Sequence, residues 1–199
     1  MINVGIDGTD NFGCALTSFK KMPNLEFDCT NTVKPVCTTN NNNNFFHYIC
    51  LGSKREKSNS QTFYTLEDII DLHNLNKKHI FLQIDCEGGE YTGLKYFPTE
   101  KLKYIDQIVA EIHFDQIYPE EWGVLDIFKS LMREFVSVNY HMNNYSCLKR
   151  SYRKLGSNAF EVTLVNKRLI KLNSQSRSFK LNSFNRPNAP DLPDCQVEE

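Results

Sequence analysis

His79–Leu94 reads HIFLQIDCEGGEYTGL. Ile80, Phe81, Leu82 and Ile84 form an apolar run broken only by Gln83, the pattern of a short strand buried on both faces in a parallel sheet. The run stops at Asp85, and Glu87, Gly88, Gly89 and Glu90 follow at once. In an open α/β sheet the carboxyl ends of the strands form the crevice where ligands sit, so acids at this point are placed for chemistry. The same residues also read as a plain strand, a glycine turn and a helix start, with Glu90 near the positive end of the helix dipole.

Upstream of this stretch the pattern is strand, loop, helix, strand. Met1–Ile6 is a short apolar run, and Gly5-Ile6-Asp7-Gly8-Thr9-Asp10 follows as a loop where backbone can approach a ligand closely. Ala15, Leu16, Phe19 and Met22 are spaced for one helical face, and Leu25–Phe27 reads as a second strand ending at Asp28. An acid about 20 residues beyond a glycine loop is what a nucleoside-binding βαβ unit uses to hold ribose hydroxyls. The glycines do not form GxGxxG, which argues against a dinucleotide and leaves room for a mononucleoside-type cofactor. Thr30–Asn44 reads as a loop ending in the asparagine tract Asn40–Asn44, a solvated insertion. Phe45–Leu51 is the third strand, Ser53–Gln61 a polar loop, and Thr65-Leu66-Glu67-Asp68 a capping box opening a helix with Leu66, Ile69, Ile70 and Leu72 as its buried stripe.

Downstream, Pro98 stops the helix that follows the acidic turn. Ile105–Ile112 is a fifth strand ending in Glu111-Ile112-His113-Phe114-Asp115, so a second strand delivers ionisable groups to the same sheet edge. Glu120–Phe135 reads as a helix with Trp122, Leu125, Ile127, Phe128 and Leu131 on its core face. Val136–His141 and Phe160–Val165 are strands with no clear helix between them, an antiparallel pair closing an otherwise parallel sheet. From Ser174 the chain is rich in Ser, Asn and Pro, which divides it into a domain over residues 1–172 and an extended tail over 173–199.

The bulk properties narrow the function classes. The 199 residues are 40% hydrophobic and 24% charged, ordinary for one globular domain. With 23 basic and 24 acidic residues and no basic stripe, the chain lacks the electrostatic footprint of a nucleic-acid binder. No apolar run reaches the roughly 18 residues of a membrane span. A buried-looking strand already begins at Ile2, so covering structure is expected upstream of Met1, and the compartment is not read from this N-terminus. The seven cysteines show no CxxC spacing, which makes a metal site built on cysteines improbable. Several lie in apolar surroundings as small hydrophobes, while Cys147 and Cys195 are free to pair in an oxidising compartment. Asn144-Tyr145-Ser146 matches a glycosylation acceptor and fits the same setting.

Five strands alternating with helices, then a helix and two strands, resemble the seven-stranded class I S-adenosylmethionine-dependent methyltransferase fold, a Rossmann-like α/β architecture with an antiparallel last strand. The segment Ile84-Asp85-Cys86-Glu87-Gly88-Gly89-Glu90 with Leu94, together with Glu111-Ile112-His113, is similar to the signature of the FkbM-type methyltransferases and their animal methyltransferase-like branch. Asn139–Asn144 with Cys147, Phe160–Thr163 and Pro187–Asp191 carry the same likeness. The chain departs from that pattern at Gly13, where an acid is usual after Phe12, and at Cys29, where a proline is usual after Asp28.

The resemblance implies S-adenosyl-L-methionine as cofactor. It implies that Gly5, Asp7, Gly8 and Asp10 wrap the methionine moiety, that Asp28 holds the ribose, and that Asp85 and Glu87 border the transfer site. For an oxygen acceptor, His113 or Asp85 is the expected base, and the acceptor is a small molecule or glycan. Two other readings stay open: a non-catalytic relative acting as a binding module, favoured by Gly13, and a nicotinamide-dependent oxidoreductase, disfavoured by the spacing of Gly5, Gly8 and Gly13. The secretory pathway or extracellular space is expected if a signal or anchor precedes Met1.

Overall fold

The computed structural model describes residues 1–37, 43–113, 124–147, 157–171 and 185–195. β1 (Ile2–Val4), α1 (Asn11–Lys20), β2 (Asn24–Asp28) and β3 (Asn44–Tyr48) come first, followed by the short strands β4 (Cys50–Leu51), β5 (Glu56–Ser58) and β6 (Gln61–Tyr64). Then come α2 (Leu66–Leu72), β7 (Ile80–Ile84), α3 (Gly89–Lys95), β8 (Ile105–His113), α4 (Val124–Glu134), β9 (Phe135–Met142) and β10 (Ala159–Asn166). Seven strands form one sheet in the order β3-β2-β1-β7-β8-β10-β9. β1, β2, β3, β7 and β8 pair in parallel, and β10 runs antiparallel to both β8 and β9. The architecture is thus Rossmann-like α/β, a mostly parallel sheet flanked by helices.

From β1 the chain first moves outward through β2 to β3, then returns to the other side of β1 to lay down β7 and β8. The order therefore reverses between β1 and β7, and at such a switch point the connections leave in opposite directions and open a crevice. The core runs through Ile2 and Val4 of β1, Phe27 of β2, Leu82 and Ile84 of β7, Ile108 of β8 and Leu164 of β10, all buried. In β7 the alternate residues Phe81 and Gln83 are only half-buried, so this strand is less covered on one face than its apolar run implies.

The late antiparallel pair has its return strand inside the sheet. β10 lies between β8 and β9, which puts the apolar Phe160, Val162 and Leu164 in the interior and leaves β9, with Ser137 and Asn139, at the edge.

The first helix corrects the sequence pattern. Its buried residues are Gly13, Cys14 and Thr17, whereas Phe19 is 77% exposed and Ala15 also faces solvent. The reason is the sheet surface beneath it, where Asn3, Asn24, Glu26 and Asn44 form a buried polar row across β1, β2 and β3. A Cβ at position 13 would collide with the carboxylate of Asp10 and the amides of Asn3 and Asn24, so only glycine lets α1 settle there.

Three further expectations change. Cys14 bonds to Cys37, Cys29 to Cys50 and Cys147 to Cys195, so two disulfides form besides the Cys147–Cys195 pair the sequence suggested; Cys86 is free. The polar loop over Ser53–Gln61 contains a hairpin, β5 and β6, whose two-residue turn puts Asn59 and Ser60 at φ 48° and 68°. Asn144 is 2% exposed: its Nδ2 donates to the carbonyls of Ala189 (2.9 Å), Leu192 (3.0 Å) and Pro193 (3.4 Å), which leaves no amide for a glycan in the folded chain.

The capping box stands as read, with Thr65 Oγ1 accepting from Asp68 N at 3.0 Å and Asp68 Oδ2 accepting from Thr65 N at 3.0 Å. Leu66, Ile69 and Ile70 are buried behind it, but Leu72 is 52% exposed. Residues 185–195 lie against the end of the sheet, held by the Asn144 bonds, by Asn188 Nδ2 to Glu161 and by the Cys147–Cys195 bridge. The asparagines at 40–42, Phe114, Asp115, Trp122, the side chain of Leu125 and the segments 148–156 and 172–184 lie outside the described residues.

Candidate functional site

The switch point gathers residues from four strands. After β1, Gly5 N donates to Phe27 O at 3.0 Å and Ile6 N donates to Asp28 Oδ2 at 2.8 Å, while Asp85 N donates to Val4 O at 2.9 Å. These bonds place the ends of β1, β2 and β7 side by side. Gly5, at φ 79°, packs so closely on the carbonyl of Asp85 that any side chain there would strike it. The glycine loop, Asp28 and the acidic turn therefore share one rim, as the sequence reading requires.

Within that rim the predicted cofactor residues have unequal freedom. Asp7 is exposed, and around Gly8, at φ 64°, the space a side chain would fill is open. Asp10 is buried and caps α1: Oδ1 accepts from Gly13 N at 2.7 Å and Oδ2 from Asn24 Nδ2 at 2.6 Å. Asp28 is also buried, and its two oxygens accept four bonds from its own chain. Ile6 N reaches Oδ2, while Thr30 N (2.6 Å), Thr30 Oγ1 (2.8 Å) and Asn31 N (2.9 Å) reach Oδ1. Three of the four bonds fall on Oδ1 and one on Oδ2, so Oδ1 is filled while Oδ2 keeps a lone-pair position for a further donor such as a ribose hydroxyl. The segment after β2 also crosses the loop, with Val36 N donating to Gly8 O and Asp10 N donating to Val36 O.

The second half of the site is an acid–imidazole cluster built by β7, α3 and β8. Glu87 (φ 50°) and Gly88 (φ 98°) turn the chain sharply from β7 into α3, bringing Glu90 back beneath the strand ends. Glu90 is fully buried. Its Oε2 accepts from Gly88 N at 2.8 Å, and its Oε1 takes both His113 N at 3.0 Å and His113 Nδ1 at 3.1 Å. That carboxylate fixes the imidazole ring, so Nε2 points outward. Nε2 lies 3.4 Å from Glu87 Oε2, 3.7 Å from Glu111 Oε1 and 3.9 Å from Asp85 Oδ1. Asn143, just beyond β9, holds Glu111 Oε1 at 2.6 Å.

So much negative charge in one place displaces the titrations. Burial pushes Asp85 up to about 7, helped by the charge of Glu111 and, more weakly, of Glu87 and Glu90. For His113 burial opposes the charged form, but the bond to Glu90 and the charges of Glu90, Glu87 and Glu111 outweigh it and lift the ring to about 9. Burial first, and then Glu90 and Asp85, hold the Cys86 thiol protonated. At neutral pH His113 is therefore an imidazolium, suited to orienting an oxygen, whereas Asp85 exchanges a proton near pH 7 and is the better base. Asp85 keeps 38% of its side chain exposed, so a ligand in the crevice can reach it.

The site thus joins Asp85, Glu87 and His113 and sets Gly5 and Asp28 beside them, while Asp10 serves the helix below. Sequence reasoning did not assign site roles to Glu90, Glu111 and Asn143. The signal for Glu111 was present, since two residues apart on a strand it shares a face with His113. Nothing local announces that Glu90 reaches across to β8. No helix among the described residues is long and apolar enough to cross a membrane. Compared with protein-family models, curated proteins and solved structures, the chain matches none.

Proposed function

We propose that this chain is a class I methyltransferase of the FkbM type that methylates an oxygen of a small molecule or glycan. The observation that carries the reading is the convergence, at the reversal between β1 and β7, of a glycine loop, an acid after β2 and an acid–imidazole cluster after β7 and β8. Bound S-adenosyl-L-methionine would supply an electrophilic methyl group on a sulfonium. Asp7 and the open backbone at Gly8 would border the methionine end, with Asp28 Oδ2 facing the ribose.

The protein's share of the reaction is alignment plus removal of one proton. Orienting two groups for in-line displacement accounts for up to about 7–11 kcal/mol of barrier reduction in favourable cases. Asp85, poised near neutrality, would take the acceptor hydroxyl's proton as the oxygen attacks. His113, fixed by Glu90, would hold that oxygen in place, and Glu87 would shape the acceptor pocket.

A second reading, a non-catalytic relative that keeps the fold for binding, is favoured by one observation: Asp28 is buried and its Oδ1 is filled by bonds from its own chain. Thermal unfolding of the full chain with S-adenosylmethionine and, separately, NAD distinguishes the two. Saturable stabilisation by S-adenosylmethionine alone supports the enzyme, and no response to it selects the binding module. For the enzyme, Asp85→Asn should keep cofactor stabilisation and lose methyl transfer; unchanged transfer would remove Asp85 from the role of base.

A further inference from the structure

Four carboxylates, Asp85, Glu87, Glu90 and Glu111, surround one imidazole, and among the described residues no lysine or arginine pairs with any of them. Even with His113 protonated the cluster is short of positive charge. The side chain of His113 is 9% exposed, and its Nε2 faces carboxylate oxygens of Glu87 at 3.4 Å, Glu111 at 3.7 Å and Asp85 at 3.9 Å. A ring nitrogen aimed into a group of carboxylate oxygens, with its other ring nitrogen held by a further carboxylate, is the arrangement of a cation's ligands.

We infer that Asp85 Oδ1, Glu111 Oε1 and His113 Nε2 form a binding site for a first-row divalent cation such as Mn²⁺ or Zn²⁺. One ligand atom from each of Asp85, Glu111 and His113 lies within 4.8 Å of the other two. Metal–ligand bonds of about 2.0–2.2 Å put neighbouring ligands roughly 2.8–4.4 Å apart, and the measured 3.7 Å and 3.9 Å from Nε2 fall inside that range. One imidazole with two carboxylates suits the harder first-row ions.

The supporting shell is also in place. Ligating histidines usually donate their other ring N–H to a carboxylate, and here Nδ1 is held by fully buried Glu90, which leaves Nε2 to coordinate. Asn143 Nδ2 fixes Glu111 through the same kind of outer bond. The buried side is closed by Glu111, 14% exposed, and His113, while Asp85 and the 77%-exposed Glu87 face solvent, so open coordination positions point into the crevice. On binding, Nε2 gives up its proton to solvent and the cation takes its place; an oxygen ligand entering from the crevice would then be acidified by the metal. The inference shares Asp85 and His113 with the proposed transfer site, but it is tested by metal binding alone.

The test is calorimetric titration of the chelator-treated full chain with MnCl₂, and separately with ZnCl₂. One equivalent of at least one ion should bind saturably, raise the unfolding temperature, and be weakened by at least about ten-fold in both Asp85→Asn and Glu111→Gln; loss of a merely supporting residue already costs about that much. Because Asp85 is partly exposed, Asp85→Asn should fold normally, and circular dichroism checks it. For bound Mn²⁺, nitrogen hyperfine coupling in the spin-resonance spectrum should be present in the parent and absent in His113→Gln. No stoichiometric binding of either ion at millimolar concentration, or binding unaffected by both carboxylate variants, overturns the inference.

Discussion

Glu26→Gln should make this protein more stable, and only above a defined pH. Glu26 is fully buried beneath α1, and its Oε1 accepts from Asn24 Nδ2 at 3.0 Å, but Oε2 finds no donor among the described residues. The same Asn24 amide serves Asp10 Oδ2 at 2.6 Å, so two carboxylates share one donor. Burial, then the hydrogen bond and charge of Asp10, raise Glu26 from 4.5 to about 7, against a small opposing pull from Lys34.

The unfolded chain thus releases this proton near pH 4.5 and the folded chain near 7, so stability falls as pH climbs through that window. At roughly 1.4 kcal/mol per pH unit the full loss is about 3 kcal/mol, reached above pH 7. Glutamine reproduces the protonated acid, with an oxygen for Asn24 and an N–H for Asp10, and has no proton to lose. Guanidinium unfolding should show Glu26→Gln equal to the parent at pH 4.5 and more stable by up to about 3 kcal/mol at pH 8, a rise of roughly 6–12 °C in midpoint temperature. Equal effects at both pH values would refute the reasoning, because the gain would then have nothing to do with a proton.

Two further outcomes follow from buried polar groups. His47 and His73 pack around Phe27, with ring centroids 4.9 Å and 5.7 Å from it, and burial lowers both titrations below the usual 6.5. The fold holds them neutral while the unfolded chain takes up protons, so their contribution is present above pH 6.5 and lost as pH falls. The denaturant midpoint should drop between pH 7 and 5.5 and the slope should flatten in His73→Leu; an unchanged slope counts against it. Asn144→Ala should cost roughly 1–3 kcal/mol by orphaning the carbonyls of Ala189 and Leu192, and peptide mapping of protein made in a glycosylating host should find Asn144 bare. A glycan at Asn144 in folded protein would contradict the bonding seen there.

What was legible in the chain is what depends on neighbours in sequence. The run from Ile80 to Ile84, the capping box at Thr65 and the acids deposited after β7 and β8 are local patterns, and each forms where its pattern puts it. The alternation of strands and helices likewise carries the α/β class, since a parallel sheet needs such crossovers.

The rest was set at a distance. The helical face of Ala15, Leu16 and Phe19 lost to Gly13, Cys14 and Thr17 because the sheet beneath is polar, and that row of Asn3, Asn24, Glu26 and Asn44 exists only once three strands lie in register. Disulfide pairing in Cys14–Cys37 and Cys29–Cys50 obeys spatial proximity rather than spacing. Likewise Glu90 orients His113 from 23 residues away, and Asp28 is occupied by a loop that folds back on it. Residue types decide which groups are able to carry charge or a proton, but solvent and neighbouring charges decide whether they do. Those surroundings come into being only when β1, β2, β7 and β8 align their ends on one rim.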